Sequence, residues 1–499
     1  MDRRYSRTIA SAESLGSAAL DRHRFMEKRV LLTGESDTLM TLNGREIARA
    51  ALLLLIRICP EIVISLPNEC PALARELEDL ARSVDPNTCI RQEEFRPEFE
   101  GYDAMLSIGS QVESTQPWTV VNSNGWLARV SSGPHGISAA CDQANSIGAV
   151  GAACLGVAEV FKRLIALAPE AGELLDSVSF SFWTYSSGAD DAGPELPAAI
   201  PVELLLIGAG AIGSGTAYLL SRLPVTGGAM VIDKQDYEIE NWGTCMCIST
   251  EDVGHEKARV VADLLSSKLE VSWRRVSVEG LRGELEAGNT QVAVVLDGLD
   301  EVEPRHEVQR LWPDLVIDGA IGSDFSCQVS CHPWGPDIAC LLCLFRQTQS
   351  TKRWEEAMSR DTGLPQEFFT SADAVITDDH LRTAPPEKRA WLSHHVGRTW
   401  CSITPEEKAQ MLSREELARG FSPSVPFVAC FSSCMIVGEL VRYVLTGATR
   451  QEPRFQLNLL WGPHRGMDYP QMRREDCECV TRSKNIERTR GMRPRPPLT

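Results

Sequence analysis

The chain has 499 residues, of which 43% are hydrophobic and 24% charged, enough to build two or three packed cores at roughly 100 to 200 residues per domain. Its formal net charge of −18 argues against broad binding to a phosphate backbone, so no nucleic-acid partner is expected. No apolar run approaches the roughly 20 residues that a membrane helix needs, and residues 1–7 are polar with no apolar signal core behind them, so no membrane association and a cytoplasmic location are expected.

In chain order, Lys28-Arg-Val-Leu-Leu-Thr-Gly34 reads as a strand ending in a turn. A helical stretch through Leu55, a second apolar strand (Glu61-Ile-Val-Ile-Ser65), another helix and a strand at Ala104-Met-Leu-Ser-Ile-Gly109 follow. This alternation predicts a doubly wound α/β domain over residues 1–195. The Ala- and Gly-rich stretch 147–167 reads as an interface or core helix.

The strongest local signal comes next. Val202-Glu-Leu-Leu-Leu-Ile207 reads as a buried strand, Gly208-Ala-Gly210-Ala-Ile-Gly213 as a glycine turn, and the residues through Leu223 as a helix. Glycines let backbone approach phosphate closely, and the helix N-terminus offers free N–H groups to it. The next strand, Ala229-Met-Val-Ile-Asp233, ends in an acidic residue able to accept from a ribose hydroxyl. Taken alone, this pattern puts an NAD-dependent dehydrogenase slightly ahead of any other nucleotide enzyme. Three further elements then appear in order: Asp233-Lys-Gln-Asp-Tyr-Glu-Ile-Glu-Asn241, Val253-Gly-His-Glu-Lys257 and Val294-Val-Leu-Asp297-Gly-Leu-Asp300-Glu-Val-Glu-Pro-Arg305. Lys257 is suited to neutralising phosphate charge, and Asp300 at a strand end to holding a bridging magnesium ion.

Sixteen cysteines point away from a disulfide framework and toward metal ligation and thiol chemistry, with most of them ordinary core residues. Cys340-Leu-Leu-Cys343 and Cys477-Glu-Cys479 together offer four soft ligands, enough for a closed tetrahedral zinc site; core packing or a redox-active pair is the alternative for Cys340 and Cys343. Between them a charged, helical-looking insertion over residues 346–420 carries Thr399-Trp-Cys401-Ser-Ile-Thr-Pro-Glu406, a polar setting suited to an exposed, reactive thiol. Cys245, Cys247, Cys327, Cys331, Cys430 and Cys434 read as core, with Cys331 the reserve nucleophile. His394 and His395 read as surface or packing groups.

The four ordered elements from Gly208 to Arg305 resemble those of the ubiquitin-activating (ThiF/MoeB-like) adenylating enzymes, and the resemblance extends over nearly the whole chain. It implies two doubly wound, Rossmann-like adenylation domains in a pseudodimer: an inactive half over 1–195, and an active half over 196–345 and 421–482. The cysteine-containing insertion and a zinc knuckle belong to the active half, and 483–499 form a basic tail expected to be disordered. The resemblance assigns ATP and magnesium to Gly208, Gly210, Gly213, Asp233, Asn241, Lys257 and Asp300. It assigns zinc to Cys340, Cys343, Cys477 and Cys479, and a thioester-forming role to Cys401. Tyr5-Ser-Arg7 resembles the motif whose arginine reaches the ATP phosphates; a solvated basic terminus is the alternative. One departure is Thr244, where the family usually has an arginine.

The implied partners are a ubiquitin-like protein, adenylated at its C-terminal carboxylate, and a conjugating enzyme that accepts the thioester. One chain is expected to be a monomer with one complete ATP site, and a bacterial origin is the expectation. The alternatives are activation of a sulfur-carrier protein or peptide without a thioester, an oxidoreductase in which Lys257 and Asp300 have no clear task, and a non-catalytic scaffold.

Overall fold

The computed structural model describes residues 3–15, 21–95, 101–111, 117–287, 292–322, 324–345, 358–360, 362–370, 374–400, 403 and 425–492. Two sheets carry the chain. The first contains β1 (Arg29–Gly34), β2 (Glu61–Ile64), β3 (Cys89–Gln92), β4 (Ala104–Ile108), β5 (Trp118–Asn124), β6 (Leu127–Ser131) and β7 (Val178–Ser181), in the order β3-β2-β1-β4-β5-β6-β7. The second contains β8 (Ile200–Ile207), β9 (Val225–Ile232), β10 (Glu270–Arg274), β11 (Val294–Asp297), β12 (Leu315–Ile321), β13 (Ser326–Pro333), β14 (Arg454–Asn458) and β15 (Met467–Tyr469), in the order β10-β9-β8-β11-β12-β13-β14-β15. In each sheet the first five strands across run parallel and the later ones antiparallel. The second sheet thus repeats the strand order of the first and adds one strand. The parallel part has the 3-2-1-4-5 order of doubly wound nucleotide folds.

Two apolar helices join the sheets. Ser146–Leu164 starts where the Asn145 side chain accepts from the Ile147 N–H, and its small residues permit close approach: a Cβ on Gly151 would lie 2.1 Å from the Phe182 ring. Pro426–Thr446 has proline in its first turn and ends at Gly447, whose φ of 70° is the left-handed conformation that glycine tolerates. It packs against both the Ser146–Leu164 helix and the Ala211–Arg222 helix. Core residues from both sheets consequently form one continuous apolar cluster.

Two expectations are corrected here. The Pro426–Thr446 helix is, by length and composition, apolar enough to cross a membrane, contrary to the expectation that no such run exists; in the fold 78% of its most apolar window is buried. Its Cys and Ser residues disguise the apolar run in the sequence. The basic tail is also not wholly irregular. Ser483–Met492 is a helix, held where Arg490 pairs with Asp314 and donates to the Pro313 carbonyl at 2.6 Å.

Candidate nucleotide and cysteine sites

The Gly208–Gly213 turn leaves the carboxyl end of β8. Register pairs Ile207 with Ile232 of β9 and with Asp297 of β11, so the loops beginning at Gly208, Asp233 and Gly298 emerge side by side. That is where doubly wound sheets place ligands. Gly208 has φ +82°, and a Cβ on Gly213 would lie 1.9 Å from the Gly208 carbonyl oxygen, so both glycines are needed to fold the turn. Gly210 differs: nothing lies within 4 Å of where its Cβ would be. Open space therefore meets the N-terminus of the Ala211–Arg222 helix, where free N–H groups favour an anion.

Asp233 closes the turn from the β9 side, its Oδ2 accepting from the Ala209 N–H at 2.8 Å and its Oδ1 from the Gln235 N–H at 2.8 Å. Two residues that the sequence reading missed hold the rest together. Tyr237, buried, donates its hydroxyl to the Ala209 carbonyl at 2.6 Å, and Gln235 Oε1 accepts from Lys257 Nζ at 2.8 Å. Lys257 also lies 5.8 Å from the centre of the Tyr237 ring. The alternation in Asp233-Lys-Gln-Asp-Tyr237 was the only sequence signal for this inward row.

Asn241 sits in the short Ile239–Trp242 helix, where its Oδ1 accepts from the Glu238 N–H at 2.9 Å and so belongs to a capping box. Thr244, buried, donates its hydroxyl to the Asn241 carbonyl at 3.2 Å, and thus reinforces backbone at the point where an arginine was expected. The N-terminal segment packs directly on this element: Tyr5 meets Trp242 edge-on with centroids 5.9 Å apart, and a Cβ on Gly243 would lie 2.4 Å from the Arg4 carbonyl oxygen. Arg7, half-buried, stands two residues beyond Tyr5 in the first turn of the Ser6–Leu15 helix. Arg57 anchors the loop that follows. Fully buried, it donates to the carbonyls of Leu53 (2.5 Å), Cys245 (2.9 Å) and Ile248 (2.7 Å).

On the β11 side the two aspartates part company. Asp297 is fully buried, with Oδ1 accepting from the Leu299 N–H at 3.0 Å and Oδ2 without a hydrogen-bond partner among the described residues. Asp300 is exposed. Arg305 is committed to structure: it donates to the Leu299 carbonyl at 3.0 Å and pairs with Asp318 at 3.3 Å, pinning the loop that carries Asp300. Burial raises the pKa of both Asp297 and Asp318, with Arg305 opposing the shift.

In the first half the corresponding place is filled. The Glu35 carboxylate, just past β1, accepts from the N–H groups of Ser110 (2.9 Å) and Gln111 (3.2 Å), and a Cβ on Gly109 would lie 2.4 Å from its Cδ. An acidic side chain there opposes a phosphate both sterically and electrostatically.

The two cysteine pairs, distant in sequence, meet beside β13. Sγ separations are 3.8 Å for Cys340–Cys343, 3.7 Å for Cys340–Cys477 and 3.6 Å for Cys343–Cys479, and all four thiols are buried. A tetrahedral ion about 2.3 Å from four sulfurs spaces them about 3.8 Å apart, so the donor set fits zinc in a closed structural site. The backbone N–H of Arg474 donates to Cys343 Sγ at 3.5 Å, and Arg310 pairs with Glu478 at 2.6 Å, tying the C-terminal segment to the Val302–Arg310 helix.

Cys401 lies outside the described residues. Its neighbours Trp400 and Ile403 are buried in a small separate core with Met358, Phe368, Ile376 and Leu392. His394 and His395 each engage a backbone carbonyl through Nδ1, with those of Ala390 and Trp391. Cys331 is buried and its thiol pKa is raised by burial, which disqualifies it as a reserve nucleophile.

Residues 30–182 match the BilD N-terminal domain and residues 200–481 match the ThiF family. The uncharacterized protein y4jF of Sinorhizobium fredii is 27% identical over 356 residues, a match that covers 68% of this chain and 65% of that protein's length. Among solved structures, E. coli MccB with ATP aligns at TM-score 0.36 and 12% identity over 57% of this chain and 68% of that one. E. coli MccB with AMPCPP and MccA gives the same score and identity over 55% and 65%. With more than half its length matched, and with the glycine turn, Asp233, Lys257 and Asp300 gathered around adjoining strand ends, the chain belongs to the ThiF family.

Proposed function

We propose that the protein uses ATP and magnesium to adenylate the C-terminal carboxylate of a ubiquitin-like protein, and then holds the acyl group as a thioester on Cys401 for transfer to a conjugating enzyme. The observation that carries the adenylation step is the open space at Gly210, bordered by Asp233 and by the loop of Asp300, with Lys257 held beside them through Gln235 and Tyr237. Membership in the ThiF family supports the same reading. Asp233 would accept from the ribose, Lys257 and Arg7 would face the phosphates, and Asp300 would hold magnesium, which supplies charge neutralisation on the phosphate oxygens. The carboxylate oxygen attacks the α-phosphorus, the bond to the β-phosphate breaks, and pyrophosphate leaves. The Cys401 thiolate then attacks the acyl carbon and AMP leaves. Zinc held by Cys340, Cys343, Cys477 and Cys479 would be structural. Glu35 at the first half's counterpart supports one ATP site per chain, formed without a second copy.

Intact mass analysis and non-reducing gels test both steps, after incubation with ATP, magnesium and candidate ubiquitin-like proteins. A thiol-sensitive adduct that is lost in Cys401→Ala and in Asp300→Ala is the expected result. Carrier-dependent pyrophosphate exchange without an adduct would replace the thioester step by direct transfer from the adenylate, as in sulfur-carrier or peptide activation. Absence of exchange with every carrier would favour a scaffold.

A further inference from the structure

A second group of sulfurs lies in the seam between the halves, apart from the nucleotide turn and the C-terminal knuckle. Cys154 belongs to the Ser146–Leu164 helix of the first half, and Cys430 and Cys434, four residues apart on one helix face, belong to Pro426–Thr446 of the second. The three Sγ atoms lie within 4.8 Å of one another. Met246, in the loop after Asn241, brings its Sδ to 3.2 Å from Cys430 Sγ. All four residues are at most 1% exposed. None has a task in the adenylation chemistry.

We propose that Cys154, Cys430 and Cys434, with the Met246 thioether as a fourth sulfur, bind one monovalent copper ion in the seam between the two halves. An ion about 2.3 Å from three sulfurs spaces them about 4.0 Å apart, within the 4.8 Å span of the three cysteine sulfurs, and the Met246 sulfur, 3.2 Å from Cys430, would join them by moving slightly outward. The donors are sulfur only. Zinc sites draw on thiolate, imidazole and carboxylate, whereas a thioether in a thiolate set selects Cu(I). Each thiol that becomes a ligand gives its proton to solvent, and no electron is transferred.

Charge supplies an independent argument. Arg57 is a fully buried cation whose hydrogen bonds all go to neutral backbone carbonyls, and among the described residues it forms no ion pair. Two of those carbonyls, on Cys245 and Ile248, flank Met246 in sequence. A buried charge is costly unless paired, and copper bound by two or three thiolates is an anion. Without such an anion nearby, the Arg57 charge is met only by those carbonyl dipoles and by the Trp242 ring, 5.1 Å from its guanidinium carbon. The ion would join three elements at once: one helix from each half and the loop bordering the nucleotide site.

Because the sulfurs are buried, the ion has to enter as the halves close. The full chain is therefore refolded without oxygen in the presence of zinc and of Cu(I) buffered by bicinchoninate, gel-filtered, and its copper and zinc measured by mass spectrometry. One copper and one zinc per chain are expected, with a sulfur-only shell in X-ray absorption at the copper edge. Cys430→Ser and Cys434→Ala should lose the copper and keep the zinc, while Met246→Leu, close in volume, should bind copper about tenfold more weakly. If the cysteine variants do not refold by near-UV circular dichroism, Met246→Leu decides. Copper that never exceeds background, that enters only by displacing zinc, or that binds Met246→Leu as tightly as wild type would overturn the proposal. So would a disulfide among these cysteines in place of bound copper.

Discussion

Asp300 is exposed at the end of a pinned loop, whereas Asp297, three residues earlier, is buried under it. Replacing Asp300 by Ala removes no packing, so the melting temperature should hold, in line with surface changes of at most about 0.5 kcal/mol, while pyrophosphate exchange should fall about 10² to 10³-fold. A large loss of stability instead would give Asp300 a structural role. His332 lies at the other end of a buried polar chain. Its Nδ1 is 2.9 Å from the Ala339 carbonyl, which can only accept, so Nδ1 carries the proton; Nε2 is 3.0 Å from the Ser330 hydroxyl, itself 3.4 Å from Asp318. Burial drives the His332 pKa down from 6.5 to about 4. The unfolded chain then takes up a proton that the folded one refuses, so stability present above pH 6.5 is lost as pH falls toward about 4, by up to about 3 kcal/mol. Melting temperatures at pH 7 and pH 5 should differ more for the wild type than for His332→Gln; equal differences would show that His332 does not titrate in this way.

At the level of elements, the glycine turn separates folding from binding. A methyl at Gly213 meets the Gly208 carbonyl oxygen, so Gly213→Ala should cost about 1–3 kcal/mol and lower the melting temperature. Gly210→Ala should melt as the wild type does yet bind ATP about tenfold more weakly, because its methyl enters the open space at the helix N-terminus. Calorimetric ATP titration beside a thermal scan checks both, and equal effects at the two positions would place the nucleotide elsewhere. The glycine turn was legible in the sequence because its spacing is local to one strand, turn and helix, whereas Asp233 follows the next strand and Lys257 opens a later helix, so both were singled out by the order of the motifs. Gln235 and Arg57 were not. Their roles depend on where β9 ends relative to Lys257 and on how the first half meets the Cys245–Ile248 carbonyls, and no local pattern encodes that. The Ser483–Met492 helix was missed for a related reason: an isolated helix of that length is marginal in water, and Arg490 anchors this one through Asp314 and the Trp312 and Pro313 carbonyls.

The molecule as a whole is held by a seam that belongs to neither half. Phe161 of the first half packs 5.4 Å from Phe427 of the second, and Phe182 packs 4.9 Å from Phe431. Glu46 of the first half accepts from the Tyr218 hydroxyl at 2.8 Å and pairs with Arg222 at 2.9 Å, both on the helix of the glycine turn. The Ser146–Leu164 helix is buried along nearly all its length, so without the second half it would expose an apolar surface with no alternative cover. The two halves should therefore unfold together. Phe431→Ala leaves a cavity in that seam and should cost about 3–5 kcal/mol, lowering the protection of β1 and of β8 at the same denaturant concentration in hydrogen exchange. If β1 keeps its protection while β8 loses it, the halves are independently stable, and the first half is a docked partner instead of one wall of a shared core.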